Sequence, residues 1–157
     1  METAYLNTEL GTIEIKGDDS GLHSVIFLDD EYSQSLAVAD CLQEAYSQLE
    51  EYFDGKRHDF QLKLTPQGTV FQQKVWKELE NIPFGKTTSY MDMAKKLGDP
   101  KVIRAAASAN GKNPISIIIP CHRVIGSNQS LTGYAGGLWR KKWLLAHESP
   151  AQQTSLF

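Results

Sequence analysis

The sequence holds only two cysteines, Cys41 and Cys121, in 157 residues. Two isolated thiols make no disulfide framework and fit a reducing, cytosolic compartment. Long apolar runs are missing too. No stretch approaches the roughly 20 residues of a membrane helix, so no membrane partner is expected. Met1-Glu2-Thr3-Ala4 lacks the basic and apolar regions of a secretory leader. His23, His58, His122 and His147 stand singly, without zinc spacing. Gly133-Tyr134-Ala135-Gly136-Gly137 is rich in glycine but has no phosphate-loop pattern. Neither metal nor cofactor is expected.

Charge of one sign is scarce in each half. Residues 1–64 carry 4 basic and 14 acidic side chains, net −10, whereas 65–157 carry 12 basic and 5 acidic, net +7. A basic half against an acidic one suits a polyanion bound on one side, with the acidic half repelled from it.

Along the chain, residues 3–28 read as strands. Thr12-Ile13-Glu14-Ile15 alternates, Val25-Ile26-Phe27-Leu28 is a buried run, and Gly17-Asp18-Asp19-Ser20-Gly21 suits the hairpin between them. Over 34–53, Val38, Leu42, Ala45, Tyr46, Leu49 and Phe53 recur at helical spacing, and Gly55 is a stop. Cys41 lies beside that face and is expected in the core. Phe60, Leu62 and Leu64 predict one more strand. This makes a small α/β domain over 1–64.

Residues 65–149 read as a mainly helical domain. Thr69 and Gln72 form a capping box, Phe71, Val75 and Leu79 mark a buried face, and Pro83 ends the helix. Ser89 caps a short helix through Lys96, closed by Gly98. Asp99-Pro100 opens the next over 101–110, closed by Gly111. Two short helices across a tight Gly-Asp turn predict a helix-turn-helix. The second carries Arg104-Ala105-Ala106-Ala107-Ser108-Ala109, whose small side chains let a backbone approach another surface closely. Lys95, Lys96, Lys101 and Lys112 flank it. Alanine's plain helix propensity is the competing account.

Chemistry concentrates in Ile117-Ile118-Ile119-Pro120-Cys121-His122-Arg123-Val124. Three consecutive isoleucines leave no polar face, so a buried segment delivers a thiol, an imidazole and a guanidinium at its end. A thiol reacts as the thiolate, and His122 as base with Arg123 as nearby positive charge would lower its pKa. A small core cysteine beside a surface histidine is the plain alternative.

The run Pro120-Cys121-His122-Arg123-Val124 resembles the active-site motif of the O6-alkylguanine-DNA alkyltransferases. The similarity continues in register through Gly68-Thr69-Val70-Phe71-Gln72, Val75-Trp76, Ile82-Pro83-Phe84-Gly85, Ser89-Tyr90, Arg104-Ala105, Asn113-Pro114, Gly133-Tyr134-Ala135-Gly136-Gly137 and His147-Glu148. It implies a ribonuclease-H-like scaffold for 1–64 and a winged-helix-like domain for 65–149. The second helix would enter the minor groove of double-stranded DNA. The implied activity is repair by direct reversal. A nucleotide is flipped out, and its alkyl group passes irreversibly from O6-alkylguanine, with O4-alkylthymine a further candidate, to Cys121.

The same resemblance supplies roles. Cys121 is the nucleophile, His122 takes its proton by way of a water, Glu148 holds the imidazole, and Tyr90 donates to the leaving guanine. Arg104 fills the hole left by the extruded nucleotide, and Asn113 is a hinge. Tyr134 stacks on the base and the Ala135 N–H approaches O6, although many relatives have serine at that position. The Val124 and Cys121 carbonyls accept from the guanine amino group. Ser89 and Ala105 join the DNA-contacting set, Lys141 lies near the site, and the protein is expected to be a monomer. A thioether has no hydrolysable bond, so one molecule acts once.

Two other readings compete. Non-catalytic alkyltransferase-like proteins bind DNA lesions with this fold but replace the cysteine, which Cys121 argues against. A cysteine hydrolase would need thiol and imidazole in contact, which adjacent residues seldom achieve, and leaves the basic helices unexplained. Residues 150–157 read as a mobile tail after Pro150. Its end, Gln153-Thr154-Ser155-Leu156-Phe157, resembles the peptide that docks on the bacterial DNA sliding clamp. Gln153 and Ser155 would be polar contacts, with Leu156 and Phe157 in an apolar pocket; coincidence is the alternative for so short a match.

Overall fold

Alternating apolar residues build the first part of the computed structural model, which describes residues 1–149 except 127, 129, 130 and 132. The clamp-like motif at 153–157 lies outside the described residues. Strands β1 (Glu2–Thr8), β2 (Gly11–Asp18) and β3 (Gly21–Phe27) form an antiparallel sheet in that order. Ala4 and Leu6, and Ile13 and Ile15, share one buried face because strand side chains alternate sides, and a β-bulge opposite Lys16–Gly17 brings both Leu22 and Val25 to it. Helix α1 (Gln43–Phe53) brings Ala45, Tyr46, Leu49 and Tyr52 into the same core.

Three expectations for this part change. The helix predicted over 34–53 starts late, at a short 3-10 turn, Asp40–Leu42. Residues 34 and 35 serve the open edge of β1 instead. Ser35 N donates to Tyr5 O at 3.0 Å, Tyr5 N to Ser35 Oγ at 2.8 Å, and Asn7 N to Gln34 Oε1 at 3.2 Å. An unpaired strand edge needs such partners more than residues 34–39 need a helix. The strand predicted around Leu62 shrinks to one bridge, Leu64 with Leu22. Gln48 of α1 supplies the missing ladder, accepting from Gln61 N at 3.0 Å and donating to Gln61 O at 3.2 Å. Cys41 is half-buried rather than a core thiol, since its neighbour Leu42 takes the core position.

The chain divides into two compact units, Met1–Gln67 with Pro114–Ile118, and Gly68–Asn113 with the residues from Ile119 on. Pro114–Ile118 belongs to the first because it extends the sheet edge: Val25 N donates to Pro114 O and Ser116 N to Val25 O, both at 2.9 Å. Beyond it, Ile118 N donates to Ser116 O at 2.8 Å, closing a γ-turn on Ile117 at φ 72°. That form of turn is strained, and more so for a β-branched residue, so packing must hold it. Ile117 is only 1% exposed.

The second unit follows its local signals closely. Both halves of the capping box form at α2 (Val70–Leu79), Gln72 N to Thr69 Oγ1 at 3.1 Å and Thr69 N to Gln72 Oε1 at 2.9 Å. Val75, Trp76 and Leu79 are buried, while Phe71 is only half-buried. The Trp76 indole donates to Ala109 O at 2.8 Å, and a side chain at Gly68 would collide with that ring. Strand β4 (Thr88–Ser89) pairs in parallel with β5 (Val124–Ile125). Ser89 then caps α3 (Tyr90–Lys96), its Oγ accepting from Asp92 N at 3.0 Å. Gly98 turns the chain at φ 104°, a conformation glycine reaches without strain. Asp99 caps the short turn Pro100–Val102, and α4 (Ile103–Gly111) completes the helix-turn-helix. Helix α5 (Leu138–Glu148) follows, with Glu148 in its last turn. Among the described residues no helix is long and apolar enough to cross a membrane.

Candidate active site

The reactive segment is set by two tight turns and two amides. Cys121 N donates to Ile119 O at 2.8 Å around Pro120, whose φ of −81° and ψ of 61° make an inverse γ-turn. Asn113 Nδ2 donates to that same Ile119 carbonyl at 2.7 Å, and Asn110 Nδ2 reaches the Cys121 carbonyl at 3.4 Å. Asn113, two residues past the end of α4, thus ties that helix to the segment carrying Cys121. Asn110 was not foreseen. Its signal was a polar residue on the buried side of a helix otherwise lined with alanines.

Residues Cys121–Arg123 form one turn of 3-10 helix. Successive side chains there diverge by about 120°, and the three take different partners. His122 is fully buried, with Nε2 2.8 Å from Glu148 Oε2. Arg123 grips the same carboxylate in a bidentate pair, Nε to Oε1 at 2.7 Å and Nη2 to Oε2 at 3.0 Å, and gives Nη1 to Ile82 O at 2.7 Å. Arg123 thus serves Glu148 and is not the cation beside the thiol, as the sequence had led us to expect. That cation is Lys141, fully buried, which donates to Val124 O at 2.7 Å and lies 5.9 Å from the Tyr90 ring centre.

Electrostatics follow from these partners. Burial would raise the Glu148 carboxyl, but His122 and Arg123 outweigh it and hold the group well below the usual carboxylate range. Glu148 is therefore an anion, and the His122 nitrogen facing it carries the proton. Burial also lowers the His122 pKa, against the pull of Glu148, so the ring is neutral near pH 7. Its other nitrogen, Nδ1, is buried with no hydrogen-bond partner among the described residues. A neutral imidazole with a bare Nδ1 is a base. The thiol departs from expectation: burial pushes Cys121 up to about 11, with Asn113 and Lys141 pulling it only partly back. At rest it is a protonated, weakly nucleophilic group.

Next to this core lies a cavity of about 590 Å³, lined by Tyr90, Ile103, Arg104, Ala107, Gly111, Gly133 and Tyr134. It brings together the expected Tyr90, Arg104 and Tyr134. Ala105 is exposed on α4, Ser89 caps α3, Val124 is buried in β5, and Ala135 is exposed in the turn after Tyr134. Cys121, 5% exposed, is not one of the lining residues. Among the described residues no three His, Cys, Asp or Glu side chains gather as a metal site.

A helix-turn-helix in one unit with a buried thiol, a neutral imidazole and a clamped carboxylate points to a class, DNA-binding proteins whose chemistry centres on a cysteine. Comparison with known proteins gives the particular family. Residues 1–66 match the ribonuclease-like domain of 6-O-methylguanine DNA methyltransferase, and residues 70–150 its DNA-binding domain. The methylated-DNA–protein-cysteine methyltransferase of Methanosarcina mazei is 49% identical over 141 residues, covering 87% of this chain and 89% of that protein. The solved structure of the Mycobacterium tuberculosis protein in complex with DNA superimposes with a TM-score of 0.85 at 40% identity, over 100% of both chains. The O6-methylguanine methyltransferase structure from the same organism gives 0.83 at 38%, over 99% of both. The chain belongs to the 6-O-methylguanine DNA methyltransferase family.

Proposed function

We propose that this protein repairs DNA by taking the alkyl group from O6 of an extruded guanine onto Cys121 Sγ, once per molecule. The observation that carries this reading is the buried His122–Glu148 pair, set directly after Cys121 in the chain, in the unit whose helix-turn-helix walls the cavity. As the S–C bond forms, the C–O6 bond breaks and its electrons stay on the guanine. The thiol proton passes by way of a water to His122 Nδ1, and Glu148 steadies the imidazolium. Tyr90, at the cavity, donates to the departing base. The high resting pKa of the thiol fits this order of events, since it becomes a thiolate only when its proton has somewhere to go. Lys141 then favours the anion.

After mixing with duplex DNA bearing O6-methylguanine, the Cys121 peptide is expected to gain one methyl group, with product never exceeding protein. Sustained turnover by substoichiometric protein sinks the proposal. Cys121→Ala keeps DNA binding and loses transfer.

DNA is engaged through α4 in the minor groove, because Arg104, Ala105 and Ser108 form its exposed side and the alanines permit close approach. Arg104 acts in extrusion. Arg104→Ala therefore slows transfer from duplex DNA by about tenfold or more but leaves reaction with free O6-benzylguanine nearly unchanged. Equal losses on the two substrates rule out an extrusion role.

A further inference from the structure

The cavity wall that ends in Tyr134 is held by residues that do not line it. Tyr134-Ala135-Gly136-Gly137 forms a β-turn, with Gly137 N donating to Tyr134 O at 2.9 Å. Two side chains of the first turn of α5 grip its far end. The Arg140 guanidinium is buried at 5% exposure, an unusual place for a charge, and its Nη1 donates to Gly136 O at 3.0 Å. The guanidinium carbon lies 4.6 Å over the Trp139 ring. That indole in turn meets Gly137, which sits at φ 94°. A Cβ at this position would come within 3.2 Å of the indole Cδ1 and 3.3 Å of Nε1. Trp139 is 57% exposed, so core formation does not account for it.

We propose that Arg140, stacked on Trp139, is a positioning residue that sets how closely the Tyr134–Gly137 turn approaches the base, and thereby the size of alkyl group the site accepts. Its physical basis is simple. A turn anchored at its third carbonyl and braced at its fourth residue cannot swing away from the cavity, so the Ala135 N–H keeps its approach to O6. The same rigidity denies room to a bulky group on that oxygen. Loosening the turn weakens the contact for every substrate but admits large groups more easily. Small alkyl groups therefore lose most.

This inference rests on the alkyl-transfer reading, and its test separates the two. Transfer rates from duplex O6-methylguanine and duplex O6-benzylguanine are measured for the wild-type protein, Arg140→Ala, Arg140→Lys and Trp139→Ala. In Arg140→Ala the methyl rate is expected to fall by about tenfold, the scale of one lost hydrogen bond. The benzyl rate falls less, and the benzyl-to-methyl ratio rises several-fold. Trp139→Ala moves the ratio the same way. Arg140→Lys, which still donates to Gly136 O, returns it most of the way to wild type. Equal losses on both substrates, or a lowered melting temperature with an unchanged ratio, overturn the inference. A wild-type protein that modifies Cys121 with neither substrate overturns the underlying reading instead.

Discussion

Glu148→Gln is expected to lower the rate of alkyl transfer by roughly 10²–10⁴-fold, the range that a positioned general base contributes. The substitution keeps shape and removes charge. An amide opposite His122 Nε2 no longer requires that nitrogen to carry the proton, so the ring turns over to the tautomer with the hydrogen on Nδ1. The atom that must receive the thiol proton is then blocked, and the imidazolium loses its anion. Because Arg123 also holds this carboxylate, the variant is less stable, and rates must be taken on folded protein well below its melting temperature. A pH profile adds an independent check. The His122 pKa lies below its ordinary 6.5 because the ring is buried. The wild-type rate therefore holds as pH falls through 6.5 and drops only below it, where Nδ1 becomes protonated. A Glu148→Gln rate within threefold of wild type, or a wild-type acid limb centred above 6.5, would remove the relay from the mechanism.

How far the sequence anticipated this site depended on the range of the interaction. Thr69 with Gln72, Ser89, Gly98 and Asp99 are signals spanning three residues or fewer, and each formed as read. The edge of β1 draws on partners 27 and 30 residues away, and Gln48 on one 13 away, through side chains whose spacing carries no period. Helical periodicity around Val38 was therefore a false guide. His122 and Glu148 stand 26 residues apart, and only the resemblance paired them. Adjacency misled in the opposite direction. Arg123 follows Cys121 closely in sequence, yet a 3-10 turn points the guanidinium elsewhere and leaves Lys141, from α5, to face the thiol. Thiol acidity also depends on burial, which a run of isoleucines implies but does not weigh against the cations.

Arg123→Met should destabilise the second unit by about 3–5 kcal/mol, the usual result of leaving a buried charge without its partner. Arg123 is 6% exposed and Glu148 2%, so solvent cannot take over the pairing. Without the guanidinium, the Glu148 carboxylate loses its bidentate partner, and burial raises its pKa again. The proton it seeks comes most easily by turning His122 into an imidazolium, which ends that ring's use as a base. Ile82 O also loses the Nη1 donor it holds at 2.7 Å. Activity and stability therefore fall together in the single variant. A double variant, Arg123→Met with Glu148→Leu, separates them. Removing both charges leaves neither half of this ion pair buried alone, and apolar replacements of similar volume are often neutral or stabilising, so denaturant melts should recover most of the lost stability. Transfer should stay near the level of Glu148→Gln, because the carboxylate is still gone. If Arg123→Met unfolds at the wild-type denaturant midpoint, the clamp has no energetic weight; if the double variant regains transfer, His122 works without Glu148.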